Sequence, residues 1–237
     1  LNEAYTQSVN KWVTKEVIRR VISQRVKVPL MEVGNTDKNK LLNLEDEIHQ
    51  RLIDQEQAVK AVADTLRRSV TGLREEARPI GTFLFVGPTG VGKTELAKTL
   101  SEVYFKTAGA YIRFDMSEYQ NSESVNRLIG SSGEEGQLTE AIRQRPYALL
   151  LLDEFEKADP KILTLFLQVF EDGRLTDASG RTVDFTNTII IATSNAGSLT
   201  IAEGLRSGRT LEQIDEQVNN ELLQIFKPEL INRFDDV

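Results

Sequence analysis

The chain contains no cysteine, a single histidine, a single tryptophan and two methionines. Without thiols it has no disulfides, no thiolate metal site and no cysteine nucleophile. One histidine, His49, excludes catalytic triads and multi-histidine metal centres, and its charged, helical-looking surroundings mark it as a solvated imidazole. Long apolar runs are missing too. The stretch Ala148 to Leu152 is far too short to cross a bilayer, and the N-terminus has no signal-peptide core. A soluble, cytoplasmic protein with no membrane partner is expected. Positive charge is in deficit, with 29 Lys and Arg against 36 Asp and Glu and a formal net charge of −7, so no global electrostatic case for a nucleic-acid partner exists. At 237 residues, the chain can build one sizeable core or a large domain with a small appendage.

What is present centres on one loop, Gly87-Pro88-Thr89-Gly90-Val91-Gly92-Lys93-Thr94, which follows the apolar run Thr82 to Val86 and opens a helical pattern. The spacing G-x-x-x-x-G-K-[ST] has a physical logic. Glycines let backbone N–H groups close around phosphates, and the helix start adds partial positive charge. Lys93 would reach the β and γ phosphates, and the Thr94 hydroxyl would take a Mg²⁺ position.

Around the loop the pattern alternates. An accessory helix is expected over the first part of residues 1–40, with Val9, Trp12, Val13, Val17, Val21 and Ile22 at helical spacing, followed by a polar linker from 31 to 40. Two helices are expected at 41–52 and 55–72. Strands are expected at 82–86, 111–114, 148–152 and 188–193, with helices at 93–106, 122–129, 136–145, 159–171, 210–225 and after Pro228. Gly173 to Phe185 reads as a hairpin turning at Asp177-Ala178-Ser179-Gly180. This is a three-layer α/β fold, a mostly parallel sheet with helices on both faces and ligands at the carboxyl ends of its strands.

A second chemical stretch is Leu149-Leu150-Leu151-Leu152-Asp153-Glu154. An apolar strand ending in two carboxylates is costly unless the acids meet a cation or water. Asp153 would join the Mg²⁺ shell, and Glu154 would polarise an attacking water. Asn195, just beyond another buried strand, and Arg233 are candidates for fixing the water and stabilising the transferring phosphate. Spacing alone leaves them equally readable as a turn asparagine and as a surface ion pair with Asp235 or Asp236.

Taken together, PIGTFLFVGPTGVGKTELAKTL, FDMSEY, GQLTEAIRQRPYALLLLDEFEKADP, DGRLTDASGRTVDF, TSNAGS and FKPELINRFD resemble the second ATPase module of the Clp-type AAA+ unfoldases, from about residue 41 to the end. The resemblance implies a P-loop NTPase using ATP/ADP and Mg²⁺, assembled as a hexameric ring that threads polypeptide substrates, with an adaptor or peptidase ring as further partners. It makes Asn195 the sensor-1 asparagine and Arg233 an arginine finger donated to a neighbouring subunit. It places Ile53 and Asp54 in the segment contacting adenine, with Asp54 where the family usually has glycine.

Three departures qualify it. Where the family carries an aromatic Gly-Tyr-Val-Gly gripping loop, this chain has only Ser131-Ser132-Gly133-Glu134-Glu135. The chain ends at Val237, before the family's fifth strand and helical lid, which is expected of a fragment. No Ile-Gly-Phe or Leu-Gly-Phe tripeptide follows Asn195, which favours a chaperone over a protease subunit. The expected organisation is therefore an extension over 1–40 and a nucleotide-binding domain over 41–237. A nucleotide-dependent scaffold with little hydrolysis of its own stands as the alternative from a different class.

Overall fold

Two runs in the chain, Leu149 to Leu152 and Ile189 to Ala192, are apolar at every position, which a strand sustains only when both faces are covered. The computed structural model places both at the centre of a parallel sheet. It describes residues 41–237 except 42, 52–54, 71–74, 76, 107, 108 and 132. The expected extension over 1–40, with Trp12, and the turn holding Ile53 and Asp54 lie outside the described residues.

In chain order the first elements are α1 (Leu44–His49), α2 (Glu56–Val70), β1 (Gly81–Val86), α3 (Lys93–Phe105) and β2 (Tyr111–Asp115). Next come α4 (Ser124–Ile129), the two-residue strands β3 (Gly130–Ser131) and β4 (Glu134–Glu135), α5 (Gln137–Gln144) and β5 (Leu149–Asp153). The remainder is α6 (Pro160–Asp172), β6 (Arg174–Thr176), β7 (Thr182–Asp184), β8 (Ile189–Ser194), α7 (Ser198–Arg206), α8 (Leu211–Ile225) and α9 (Pro228–Ile231).

The main sheet has the order β1-β8-β5-β2, parallel throughout. Its pleat deals side chains to two cores. Phe83, Leu149, Leu151, Ile189 and Ile191 meet the helices α1, α2 and α3 on one face. Leu84, Leu150, Leu152, Ile190 and Ala192 meet the apolar sides of α5, α6 and α8 on the other. Helix α2 shows how its sequence serves this layer, with Val59, Val62, Ala63 and Leu66 at i, i+3, i+4 and i+7, all buried. Helix α6 begins on Asp159, whose side chain accepts from the Lys161 N–H, followed by Pro160 in the first turn. Helix α8 begins with a capping box between Thr210 and Gln213.

Beyond Arg233 the chain turns alongside β1. The Asp235 N–H donates to Thr82 O at 2.7 Å, the Leu84 N–H donates to Asp236 O at 3.1 Å, and a parallel bridge joins Phe83 to Asp236. The Asp235 carboxylate accepts from both the Thr82 N–H, at 2.7 Å, and its hydroxyl, at 2.9 Å.

The chain leaves β5 through a tight 3₁₀ turn, Phe155–Lys157. Phe155 is fully buried, 5.5 Å from Phe166, 5.8 Å from Phe226 and 6.3 Å from Phe234 between ring centroids. Such a cluster adds ring–ring attraction to a large apolar burial. Phe155→Ala is expected to destabilise the chain by about 3–5 kcal/mol, read from denaturant unfolding. A loss below about 1 kcal/mol would show that the cluster is not what holds this turn.

Most expected elements are present within two or three residues of their expected ends. Among the described helices and strands, helix α7 and the two strands of the small hairpin β3–β4 were not expected.

Candidate nucleotide site

The loop after β1 has the backbone its glycines suggest. Gly90 and Gly92 sit at φ +86 and +100, and Gly92 is the N-cap of α3 in a left-handed conformation that a residue with a Cβ adopts at a cost. No side chain caps this helix, so its first amides are left for the loop, where an anion would satisfy them. Lys93 folds over the loop. Its Nζ donates to Pro88 O at 3.1 Å, to Gly87 O and to Asn195 Oδ1 at 3.1 Å. The Thr89 hydroxyl also reaches Asn195 Oδ1, at 3.4 Å. Burial pulls the Lys93 amine below the ordinary lysine range, opposed by the charges of Glu156, Asp153 and Glu154. Thr94, the first residue after it on α3, is exposed.

Strands β5 and β8 are neighbours, and their carboxyl ends converge on the loop. Thr193 ties them together. Its hydroxyl donates to Asp153 Oδ1 at 2.5 Å and accepts from the Glu154 N–H at 3.2 Å. The other Asp153 oxygen is held by Arg113 on β2, with Nη2 at 2.7 Å and Nε at 3.2 Å, and this pairing raises the Arg113 pKa above its already high range. Glu154 lies at φ 53, ψ 49, a left-handed conformation that is unusual for a residue other than glycine. Phe155 explains it: the chain must reverse sharply to return that ring to the core, and Glu154 is the residue at the bend. Backbone strain of this kind gathers at functional sites.

Beside the loop opens a cavity of about 600 Å³, lined by residues that include Gln55, Ala58, Phe85, Val91, Leu96 and Asp215. The Gln55 side chain donates to Val91 O at 2.9 Å and so fastens the start of α2 to the loop. Ile53 and Asp54 lie outside the described residues, but the chain that follows them forms this wall.

Lys93, Asn195, Asp153 and Glu154 are thus gathered at one sheet edge. Arg233 is not with them. Its carbonyl accepts from the Thr82 hydroxyl at 3.0 Å, at the amino end of β1, and its guanidinium pairs with Glu171 at 2.8 Å. The ion pair anticipated with Asp235 or Asp236 goes instead to Glu171, while Arg78 lies 3.6 Å from Asp235.

Sequence reasoning missed Thr193, Arg113 and Glu156 as members of the site. Thr193 and Arg113 were on expected strands, and the strand register that brings them to Asp153 is what single-sequence patterns do not carry. Among the described residues no group of three or more His, Cys, Asp or Glu could cage a metal ion. Nor is any helix among them long and apolar enough to cross a membrane.

The two hairpins flanking α5 pack together. The Ala178 N–H donates to Ile129 O at 3.1 Å, and Glu135 meets both Arg143 at 2.8 Å and Arg181 at 3.5 Å. Burial pushes the Asp177 carboxyl up, but N–H groups of Ser179 and Arg181 and the Arg181 guanidinium at 2.7 Å outweigh it and leave its pKa lowered.

Compared with known proteins, residues 78–237 match the family model described as AAA domain (Cdc48 subfamily). The chain belongs to this AAA domain family. It is an ATPase-family domain, and the family implies nucleotide binding. Among curated relatives, it is 51% identical to the chaperone protein ClpB of Meiothermus ruber over 99% of its own length and 28% of that protein's. It is 49% identical to ClpB of Rhodopirellula baltica over 96% of its length and 27% of that protein's. The chain therefore spans about a quarter of the length of these relatives. Among solved structures, it is similar to Hsp104 in the closed-state reconstruction with ATPγS and FITC casein, at a TM-score of 0.82 and 34% identity, over 93% of this chain and 39% of that one. These matches agree with the parallel α/β fold and with the Clp-type resemblance read from the motifs.

Proposed function

We propose that this AAA domain binds ATP with Mg²⁺ and hydrolyses it as the second ATPase module of a chaperone that unfolds or disaggregates polypeptides in a cytoplasmic hexameric ring. The observation that carries the reading is the meeting of Lys93, Asn195, Asp153 and Glu154 around the uncapped start of α3. The donor set fits the metal. Thr94 and Asp153 offer hard oxygen ligands, and a site without a cage of three or more protein ligands among the described residues suits an ion that completes its shell with phosphates and water. Bound there, Mg²⁺ would neutralise charge developing on the phosphates.

Each residue then has a task. The loop amides and Lys93 hold the phosphates. Asp153, kept in place by Thr193, would hold the metal once Arg113 releases its second oxygen. Glu154, at the bend after β5, accepts a proton from the attacking water, and Asn195 bears on that water and on the terminal phosphate. The cavity beyond Gln55 takes the base, with Ile53 and Asp54 as its contacts by the Clp-type resemblance alone.

Arg233 cannot serve its own site from the amino end of β1, which supports a role towards a neighbouring subunit. In the assembled parent protein, Arg233→Ala is expected to keep nucleotide affinity and to lower turnover by about 10³-fold or more. Mixing it with Glu154→Gln subunits is expected to restore part of the turnover, because some interfaces then pair an intact arginine with an intact glutamate. No recovery on mixing would contradict action in trans.

The tight β3–β4 hairpin, without an aromatic side chain, favours a second reading as a nucleotide-dependent scaffold. Substantial Mg²⁺-dependent turnover by this chain would exclude it.

A further inference from the structure

The pairing of β8 with β1 ends at Ser194, whose carbonyl accepts from the Gly87 N–H at 3.2 Å. The next N–H, that of Asn195, has no strand partner. It donates instead to Glu156 Oε1, at 3.1 Å. Glu156 lies in the 3₁₀ turn after Glu154, between the buried Phe155 and the exposed Lys157, and its side chain is turned inwards. Its second oxygen, Oε2, is buried with no hydrogen-bond partner among the described residues.

A carboxylate oxygen so placed is costly. What the carboxylate does achieve is a connected line. Glu156 holds the main chain of Asn195, and the Asn195 side chain accepts from Lys93. Asn195, expected to reach a terminal phosphate, is thus held from behind by this one side chain.

We propose that Glu156 is a positioning residue: by accepting the Asn195 N–H it fixes the Asn195 amide at the terminal-phosphate end of the site and so sets the preference for nucleoside triphosphate over diphosphate. The inference rests on the nucleotide-binding reading above. A diphosphate makes no use of Asn195, so its affinity is independent of Glu156.

The test is calorimetry of this chain with ADP and with ATPγS. Glu156→Ala is expected to reduce the ratio of the ADP to the ATPγS dissociation constant about tenfold, the worth of a hydrogen bond to a charged group, with the ADP constant unchanged. Asn195→Ala is expected to reduce it similarly, and the double variant no further than either alone, because one group acts through the other. Glu156→Gln, whose amide oxygen still accepts, is expected to keep most of the preference. Equal losses for both nucleotides, an unchanged ratio in Glu156→Ala, or additive losses in the double variant would overturn the proposal. Should Glu156→Ala fail to hold its melting temperature, Glu156→Met, of similar length but without an acceptor, takes its place in the same cycle. Lys93→Ala separates the two levels: if it leaves both affinities intact, the nucleotide reading itself fails.

Discussion

Replacing Lys93 with alanine is expected to weaken ATP and ADP binding by about a hundredfold, the largest effect on affinity of any single change in the loop. The amine is partly desolvated and gathered against two loop carbonyls and Asn195, so its charge acts on phosphate through a poorly screened medium. A charge-assisted hydrogen bond of about 1.5–3 kcal/mol corresponds to a factor of about 10 to 150 in affinity. Calorimetry on the wild type and Lys93→Ala measures it directly, with circular dichroism to show that α3 is intact. Equal affinities would mean that the loop after β1 is only a strand-to-helix connection.

The second large effect concerns rate. Glu154→Gln in the assembled parent is expected to lower turnover by about 10²–10⁴-fold, the usual worth of a general base, while leaving ATP affinity in place. The substitution preserves size and the hydrogen bond from the Glu154 main-chain N–H to Thr193, so the turn into Phe155 should survive. What is lost is the ability to accept a proton. Steady-state hydrolysis alongside nucleotide binding separates these quantities, and retained turnover in the variant would remove Glu154 from the chemistry. Since Arg233 faces away from its own site, slow turnover by an unassembled chain would not bear on this prediction.

How far such residues were legible depended on whether their role is written locally. The phosphate loop is a contiguous signal in which every fixed position has its own physical reason, and the central strands announce themselves by apolar runs that only a doubly covered sheet accepts. Asp153 and Glu154 follow because the run stops abruptly on two carboxylates. Glu156 was not legible in the same way. In Glu154-Phe155-Glu156-Lys157 it looks like one more solvated acid, and a single left-handed residue at Glu154 is what turns it inwards. Periodicity arguments fail at such a residue because they assume one backbone conformation throughout.

Helix α7 escaped for a related reason. Its glycine, Gly204, argues against a helix, yet a Cβ there would lie 2.6 Å from the Ile214 side chain, so the glycine permits α7 and α8 to pack closely. The β3–β4 hairpin joins only two residue pairs, too few to leave an alternating pattern. Arg113 and Thr193 needed the register of β2, β5 and β8, which is a property of the assembled sheet. Arg233 was legible as an exposed cation, but its partner Glu171 lies far away in sequence, and composition cannot choose between it and the nearby aspartates.

The attachment of the Arg233 segment to Thr82 has a mechanical consequence. Six residues of β1 at about 3.3 Å each form a strut of about 20 Å. The phosphate loop hangs from one end and the main chain of Arg233 is riveted to the other. In the proposed ring, one subunit's fuel port and the tool it lends its neighbour are therefore mounted on the same rod, and a tilt forced at either end is felt at once at the other.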